Sequence, residues 1–428
     1  MGSRAIGHRA GHRRRAAGAL VTVACVAGLS CATATPAIAD ENVPLNSGEC
    51  KFGTDNIKET PWSLQRLLID QMWAKTKGQG VKVAVIDTGV DRDNGQIRPA
   101  LGSRGVTVAG GGKADQDVVG HGTKVAGIIA AQKIAGSGFF GIAPGAKVIP
   151  FKTTNSEKGS KASDLATAIR KAVAADVDVI NISQGTGARK SDLTDLQTAV
   201  DVAERHGILI VASAGNDGAD GREKDMYPAA YSRDHSNVLA VAASDRNNER
   251  APFSQSGTYV NIAAPGVNMV STVPDGGNCV DQGTSFASPY AAGAAALLIA
   301  QHKHDKPGGK WSPQEVIWHL EKTAARVKAK RDDFTGWGVV DPVAALNDTE
   351  RPTASPTPDK NKNSVAGLNI RPVAITLGES EEERSARIAV YIVGGGILAV
   401  GVVVGSAVAM RDWRRKNGIG TNGEASHG

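Results

Sequence analysis

Residues 81–90 read VKVAVIDTGV. The run over 81–86 is short and mostly apolar, and Thr88-Gly89 closes it with turn residues. A strand of this kind is buried on both faces, as the strands of parallel sheets are. The same punctuation recurs along the chain, predicting further strands over 147–151, 177–182, 208–212, 238–242 and 259–263. Helical text fills the intervals, over 64–73, 121–132, 163–175, 193–206, 285–302, 312–323 and 342–346. Such alternation implies an α/β fold: a mainly parallel, twisted sheet covered on both faces, with right-handed crossovers. No linker interrupts 62–348, so one domain is expected there.

The formal net charge of +6 over 428 residues is carried by the two ends. Arg4, Arg9, Arg13, Arg14 and Arg15 precede the first acid, Asp40, while Arg411, Arg414, Arg415 and Lys416 outweigh Asp412 and Glu424. The residues between them carry a net −1, so the body has no global basic excess that would favour nucleic acid.

The ends also carry membrane signals. Arg13-Arg14-Arg15, an apolar stretch and then Ala37-Ile38-Ala39 read as a secretory signal over 1–39, cut after Ala39. The 23 residues over 388–410 hold no charge. As a helix they extend roughly 35 Å, enough for a hydrocarbon core of about 30 Å. Glu379, Glu381, Glu382 and Glu383 precede this run and the four tail cations follow it. The positive-inside rule then puts a tail over 411–428 in the cytoplasm and the domain outside. Residues 349–387, with RPTASPTPD at 351–359, form a spacer, and 40–61 form a short N-terminal extension. Beyond the signal two cysteines remain, Cys50 and Cys279. An even number in an oxidising location makes them candidates for one disulfide, with two free thiols as the alternative.

Four segments carry candidate chemistry. Asp87 follows the strand over 81–86, where α/β sheets place ligand groups. His121 lies between two glycines at a helix start, exposed and approachable. Asn216 ends the strand text VASAGN, and Ser285 opens the alanine-rich helix after Gly283-Thr284. A serine hydroxyl needs a base within hydrogen-bond reach to act as a nucleophile, and histidine titrates near neutrality. A carboxylate orients the imidazole, and further donors must stabilise the oxyanion. Of the other histidines, His206, His235, His302, His304 and His319 lack a metal spacing and read as surface or packing residues. His302-Lys303-His304 reads as a solvated helix end, and Asp91-Arg92-Asp93-Asn94 as an exposed loop. Trp311, Trp318 and Trp337 read as core.

In this order, Asp-Thr-Gly-Val (87–90), Gly-His-Gly-Thr (120–123), Ala-Ser-Ala-Gly-Asn (212–216) and Gly-Thr-Ser-Phe-Ala-Ser-Pro (283–289) resemble the subtilisin-type serine peptidases. The resemblance covers about 62–346 and implies a subtilisin-like three-layer fold. It assigns Asp87 as orienting acid, His121 as general base and Ser285 as nucleophile. Asn216 and the Ser285 N–H become the oxyanion donors. Ser183, Gln184 and Gly185 become a segment on which substrate adds as a strand. No metal or cofactor is implied. Pocket walls are expected from the loops over 153–160 and 218–226. With the signal, spacer and apolar run, the whole resembles the mycosins, membrane-anchored proteases of type VII secretion whose short N-terminal extension wraps the catalytic domain. That implies protein or peptide substrates cut outside the cytoplasmic membrane, and association with the secretion membrane complex. Two other readings stay open: a subunit whose main role is to stabilise that complex, and a surface-anchored subtilase without such a partner.

Overall fold

The computed structural model describes residues 50–156, 159–218, 224–303, 309–326, 328–359 and 381–416. The expected signal, residues 40–49 of the extension, His304, the spacer over 360–380 and the tail beyond 416 lie outside the described residues.

Two short helices, α1 (Trp62–Gln65) and α2 (Ile69–Lys75), lead into β1 (Lys82–Asp87) and β2 (Val106–Thr107). Then come α3 (His121–Ala130), β3 (Lys147–Lys152), α4 (Ala162–Ala174), β4 (Val179–Ile182), α5 (Thr194–Arg205), β5 (Leu209–Ser213), β6 (Val238–Ser244) and β7 (Ile262–Pro265). A hairpin, β8 (Met269–Thr272) and β9 (Asn278–Asp281), precedes α6 (Thr284–His302), α7 (Pro313–Thr323) and α8 (Pro342–Asn347). Strands β1 to β7 form one sheet in the order β2-β3-β1-β4-β5-β6-β7, with every pairing parallel.

Side chains alternate across this sheet, as the pleat requires. Val83 and Val85 of β1, Val179 of β4 and Leu209 and Val211 of β5 join the core shared with α3 and α6. Ala84, Ile86, Ile180, Ile210 and Ala212 join the opposite core, with Leu165, Ile169, Leu196 and Val200 of α4 and α5. Hence three layers arise from strands that are apolar on both sides. Helix α6 is apolar around nearly its whole circumference and is buried accordingly.

The order of strands positions the site. From β1 the chain builds outward to β3, then crosses back to β4 on the other side of β1. At such a switch point the loops beyond the strand carboxyl ends diverge and leave a crevice. Asp87 ends β1 there.

The structure departs from the sequence reading in several places. The helix expected over 64–73 is two helices, because the chain leaves helical geometry at Leu68 while Leu64, Leu67 and Met72 all enter the core. The strand expected over 259–263 lies later, at Ile262–Pro265. The β8–β9 hairpin has no counterpart in the reading, although Pro274-Asp275-Gly276-Gly277 is a turn signal between its strands. The loop over 91–94 is not simply exposed. Asp91 accepts from the N–H of Asp275, and Asn94 donates to the carbonyl of Val273, so both are buried against the hairpin turn. Nor is His302 solvated: it is 4% exposed and stacks on Trp311, with ring centroids 4.0 Å apart.

Cys50 and Cys279 form a disulfide that ties the extension to β9. Gly53 donates to the carbonyl of Pro274, and Ile57 to Asn278 Oδ1, so the extension follows the hairpin beyond the bridge.

A second unit begins beyond Lys360. Its described part is helix α9 (Glu381–Lys416). It outruns the predicted 388–410 at both ends, because the charged flanks hold good helix formers such as Glu, Arg and Lys. Residues 388–416 are long and apolar enough to cross a membrane, with a mean hydropathy of 2.4 over their most apolar 18 residues.

Candidate active site

Asp87 is fully buried, and its Oδ1 accepts from the N–H of Thr88 at 2.8 Å and from His121 Nδ1 at 2.7 Å. His121 is the first residue of α3, after Gly120 in the left-handed region (φ 87°). The approach of α3 to β1 is close. A Cβ on Gly122 would lie 2.0 Å from the carbonyl oxygen of Gly89 and 3.0 Å from Asp87 Cβ. Only a glycine lets the helix start sit that near the carboxylate.

Two residues that the sequence reading missed hold this turn. Asp117 Oδ1 accepts from Thr88 Oγ1 at 2.8 Å and from the N–H of Gly120 at 2.8 Å. Its Oδ2 accepts from the N–H and hydroxyl of Thr123 at 2.9 and 2.7 Å. Thr88 Oγ1 also accepts from the N–H of Gly122 at 2.9 Å. Both neighbours of His121 are therefore pinned by their backbone amides. Asp117 stands four residues ahead of the helix start, away from the N-cap position held by Gly120, so no local pattern in the sequence singles it out.

Burial by itself lowers the pKa of His121, but the charge and hydrogen bond of Asp87 outweigh it, helped by Asp117 and opposed by Lys124. The net shift is upward from the usual 6.5. Asp87 thus favours the imidazolium and fixes the tautomer with the proton on Nδ1, leaving Nε2 as the basic nitrogen.

Ser285 lies in the first turn of α6, behind Gly283 at φ 149°. Its Oγ donates to the carbonyl of Ser183 at 3.0 Å, and Ser183 Oγ donates back to the carbonyl of Ser285 at 2.9 Å. The observed rotamer thus places the hydroxyl proton on Ser183 rather than on the imidazole. Phe286, next in sequence, packs its ring against His121 with centroids 5.5 Å apart.

Asn216 is oriented by what it accepts. Its Oδ1 takes the N–H and the hydroxyl of Thr284, both at 2.9 Å. An amide nitrogen cannot accept an N–H, so Nδ2 must be the free end. A carbon placed on Gly283 would lie 3.4 Å from Asn216 Nδ2 and 3.6 Å from Ser285 N. Both nitrogens therefore lie within 3.6 Å of one point, and Gly283 keeps it empty of side chain. The amide of Ser285 belongs to the first turn of a helix, where N–H groups have no partner within the helix.

His121, Ser183, Gln184, Gly185, Asn216 and Ser285 line one cleft of about 270 Å³, together with Ser156, Gly159 and Met226 from the two expected wall loops. Away from it, His235 Nδ1 lies 3.0 Å from Glu204 Oε2 and 3.5 Å from Asp201 Oδ1. This trio is the group with metal-holding geometry among the described residues, which the spacing-based reading of His235 did not anticipate. Glu204 is already engaged by His235 and by the N–H and hydroxyl of Ser236.

A carboxylate–imidazole pair, a serine at a helix start and two convergent donors at the crevice of a parallel α/β sheet define a serine peptidase of the subtilisin type. The profile of the Subtilase family matches residues 78–338, and the chain belongs to that family. Subtilisin Savinase of Lederbergia lenta is 37% identical over 290 residues, covering 67% of this chain and 99% of its own. Among solved structures, MycP1 with the N-terminal propeptide removed is 31% identical with a TM-score of 0.60, covering 69% of this chain and 99% of its own. The MycP3 protease from the type VII (ESX-3) secretion system is 30% identical with a TM-score of 0.57, covering 69% and 89%.

Proposed function

We propose that Ser285, His121 and Asp87 cut peptide bonds by an acyl-enzyme route. The observation that carries this reading is the 2.7 Å Asp87–His121 contact at the edge of a cleft that also holds Ser285 and Asn216. Rotation of Ser285 Oγ away from the Ser183 carbonyl brings it to His121 Nε2, which takes the proton as Oγ attacks the substrate carbonyl. The oxyanion settles between Asn216 Nδ2 and the Ser285 N–H. Collapse breaks the C–N bond, and the imidazolium gives its proton to the departing amine. Water activated by His121 then releases the acid product and the free serine. Ser183, Gln184 and Gly185 present backbone beyond the end of β4, so an extended substrate adds there as a strand.

The protein acts outside the cytoplasmic membrane, anchored by α9, with residues 62–348 as the catalytic domain and 411–428 as a cytoplasmic tail. The apolar length of α9 and the basic residues after it support the anchor and its direction. Structural likeness to MycP1 and MycP3 supports a place in the mycosin subfamily and a role with a type VII secretion membrane complex. Ser285→Ala tests both parts. Peptidase activity of the purified variant falls to background, and retention of full activity rejects the nucleophile. In a deletion strain, failure of Ser285→Ala to restore secretion supports cleavage as the working role. Full restoration assigns the role to the folded domain as a structural subunit.

A further inference from the structure

This inference rests on the peptidase reading and names its substrate class. Two backbone segments flank the approach to Ser285: Ser183-Gln184-Gly185 beyond β4 and Ala214-Gly215-Asn216 beyond β5. β4 and β5 pair in parallel up to Ile182 and Ala212, and beyond those residues the two segments part. A substrate carbonyl held by Asn216 Nδ2 and the Ser285 N–H lies over this gap. If its chain pairs with 183–185, the side chain of the attacked residue points down between the segments, since side chains stand perpendicular to a strand's hydrogen bonds.

Met226 occupies the gap. A carbon added to Gly185 would meet Met226 Cγ and Sδ, each at 2.7 Å. One added to Gly215 would meet Met226 Cε at 3.1 Å. The thioether therefore spans from one wall to the other. Its backbone is tied down on the Gly185 side. Thr186 and Tyr227 exchange both backbone hydrogen bonds at 2.9 Å, and the Met226 carbonyl accepts from the N–H of Ala230 at 2.8 Å. Gly159, Gly185, Ser213 and Gly215 line the same cleft as Met226 and add little side-chain bulk of their own.

We propose that Met226 is the specificity-determining residue of this cleft, and that it limits the residue whose carbonyl is attacked to a small one: glycine, alanine or serine. A longer side chain meets the thioether before its carbonyl reaches the two oxyanion donors, and loses transition-state contact rather than binding alone.

Three peptides identical except for Ala, Leu or Phe before the scissile bond test this with the detergent-solubilised full chain. The wild type cleaves the Ala peptide with kcat/KM at least about tenfold above the Phe peptide. Met226→Gly lowers that ratio by about tenfold or more, and Met226→Leu, which keeps the volume, preserves it. A wild type that cuts the Phe peptide as well as the Ala peptide overturns the proposal. So does an unchanged ratio in Met226→Gly; if that variant does not fold, Met226→Ala gives the same reading. Fluorophosphonate labelling of Ser285 separates the two levels. A labelled enzyme that prefers Phe overturns only the size limit, whereas absence of both labelling and cleavage overturns the peptidase reading with it.

Discussion

His121 sits under opposing influences. Burial and the Lys124 cation push its pKa down, while Asp87 and Asp117 push it up and prevail. The base must be neutral to accept the Ser285 proton, so the acid limb of the pH profile of kcat/KM falls above 6.5, the ordinary histidine value. In Asp87→Asn the negative charge that raises the pKa is gone while burial and Lys124 remain. The expected outcome is an acid limb moved to lower pH, with kcat reduced by about 10⁴-fold through loss of the correct tautomer. A pH profile of the residual activity checks both. A limb that stays in place would show that Asp87 does not govern His121. The individual residues Asp87, His121, Asn216 and Ser285 stand out in the sequence because each lies in a distinctive local string. Thr88, Asp117 and Met226 do not, because their importance is a matter of what they touch.

Among the elements, α7 carries a buried acid with a different consequence. Glu321 is 4% exposed and accepts from Asn261 Nδ2 at 2.9 Å, just ahead of β7. Burial, partly offset by that bond and by Arg331, pushes its pKa from 4.5 up to about 7. Between those values the folded state holds the proton more tightly than the unfolded state does. Its contribution to stability is therefore fully present below about pH 4.5 and lost as pH rises through about 7. Glu321→Gln keeps an oxygen acceptor and removes the titration. Relative to the wild type, the variant gains stability on going from pH 5 to pH 8, by up to about 3 kcal/mol. Urea unfolding at the two pH values measures the difference, and equal shifts at both would exclude Glu321 as the source. Element type was legible in the sequence for the sheet strands because apolar runs between turn residues have few other homes. The hairpin β8–β9 was harder, since each of its strands is only four residues long.

For the molecule as a whole, the catalytic unit and α9 pose separate questions. Removing residues 361–428 leaves the catalytic unit with its sheet, cleft and disulfide intact. The expected result is active enzyme in the soluble fraction, against full-length chain in the membrane fraction. Truncated protein that still sediments with membranes would locate the anchor elsewhere. The sequence by itself determined the layered α/β class and the apolar C-terminal run, and it singled out the four groups proposed to react. Hydrophobic period, turn residues and uncharged length are local properties, readable one segment at a time. Only the tertiary structure decided how those groups meet: that Asp87 and His121 touch, that Ser285 rests on Ser183, that Asn216 turns its nitrogen toward the cleft, and that Met226 fills the space between Gly185 and Gly215. Those facts depend on the parallel order of β1, β4 and β5 and on backbone approaches that glycine permits. They bring together residues up to about two hundred positions apart, which no local pattern encodes.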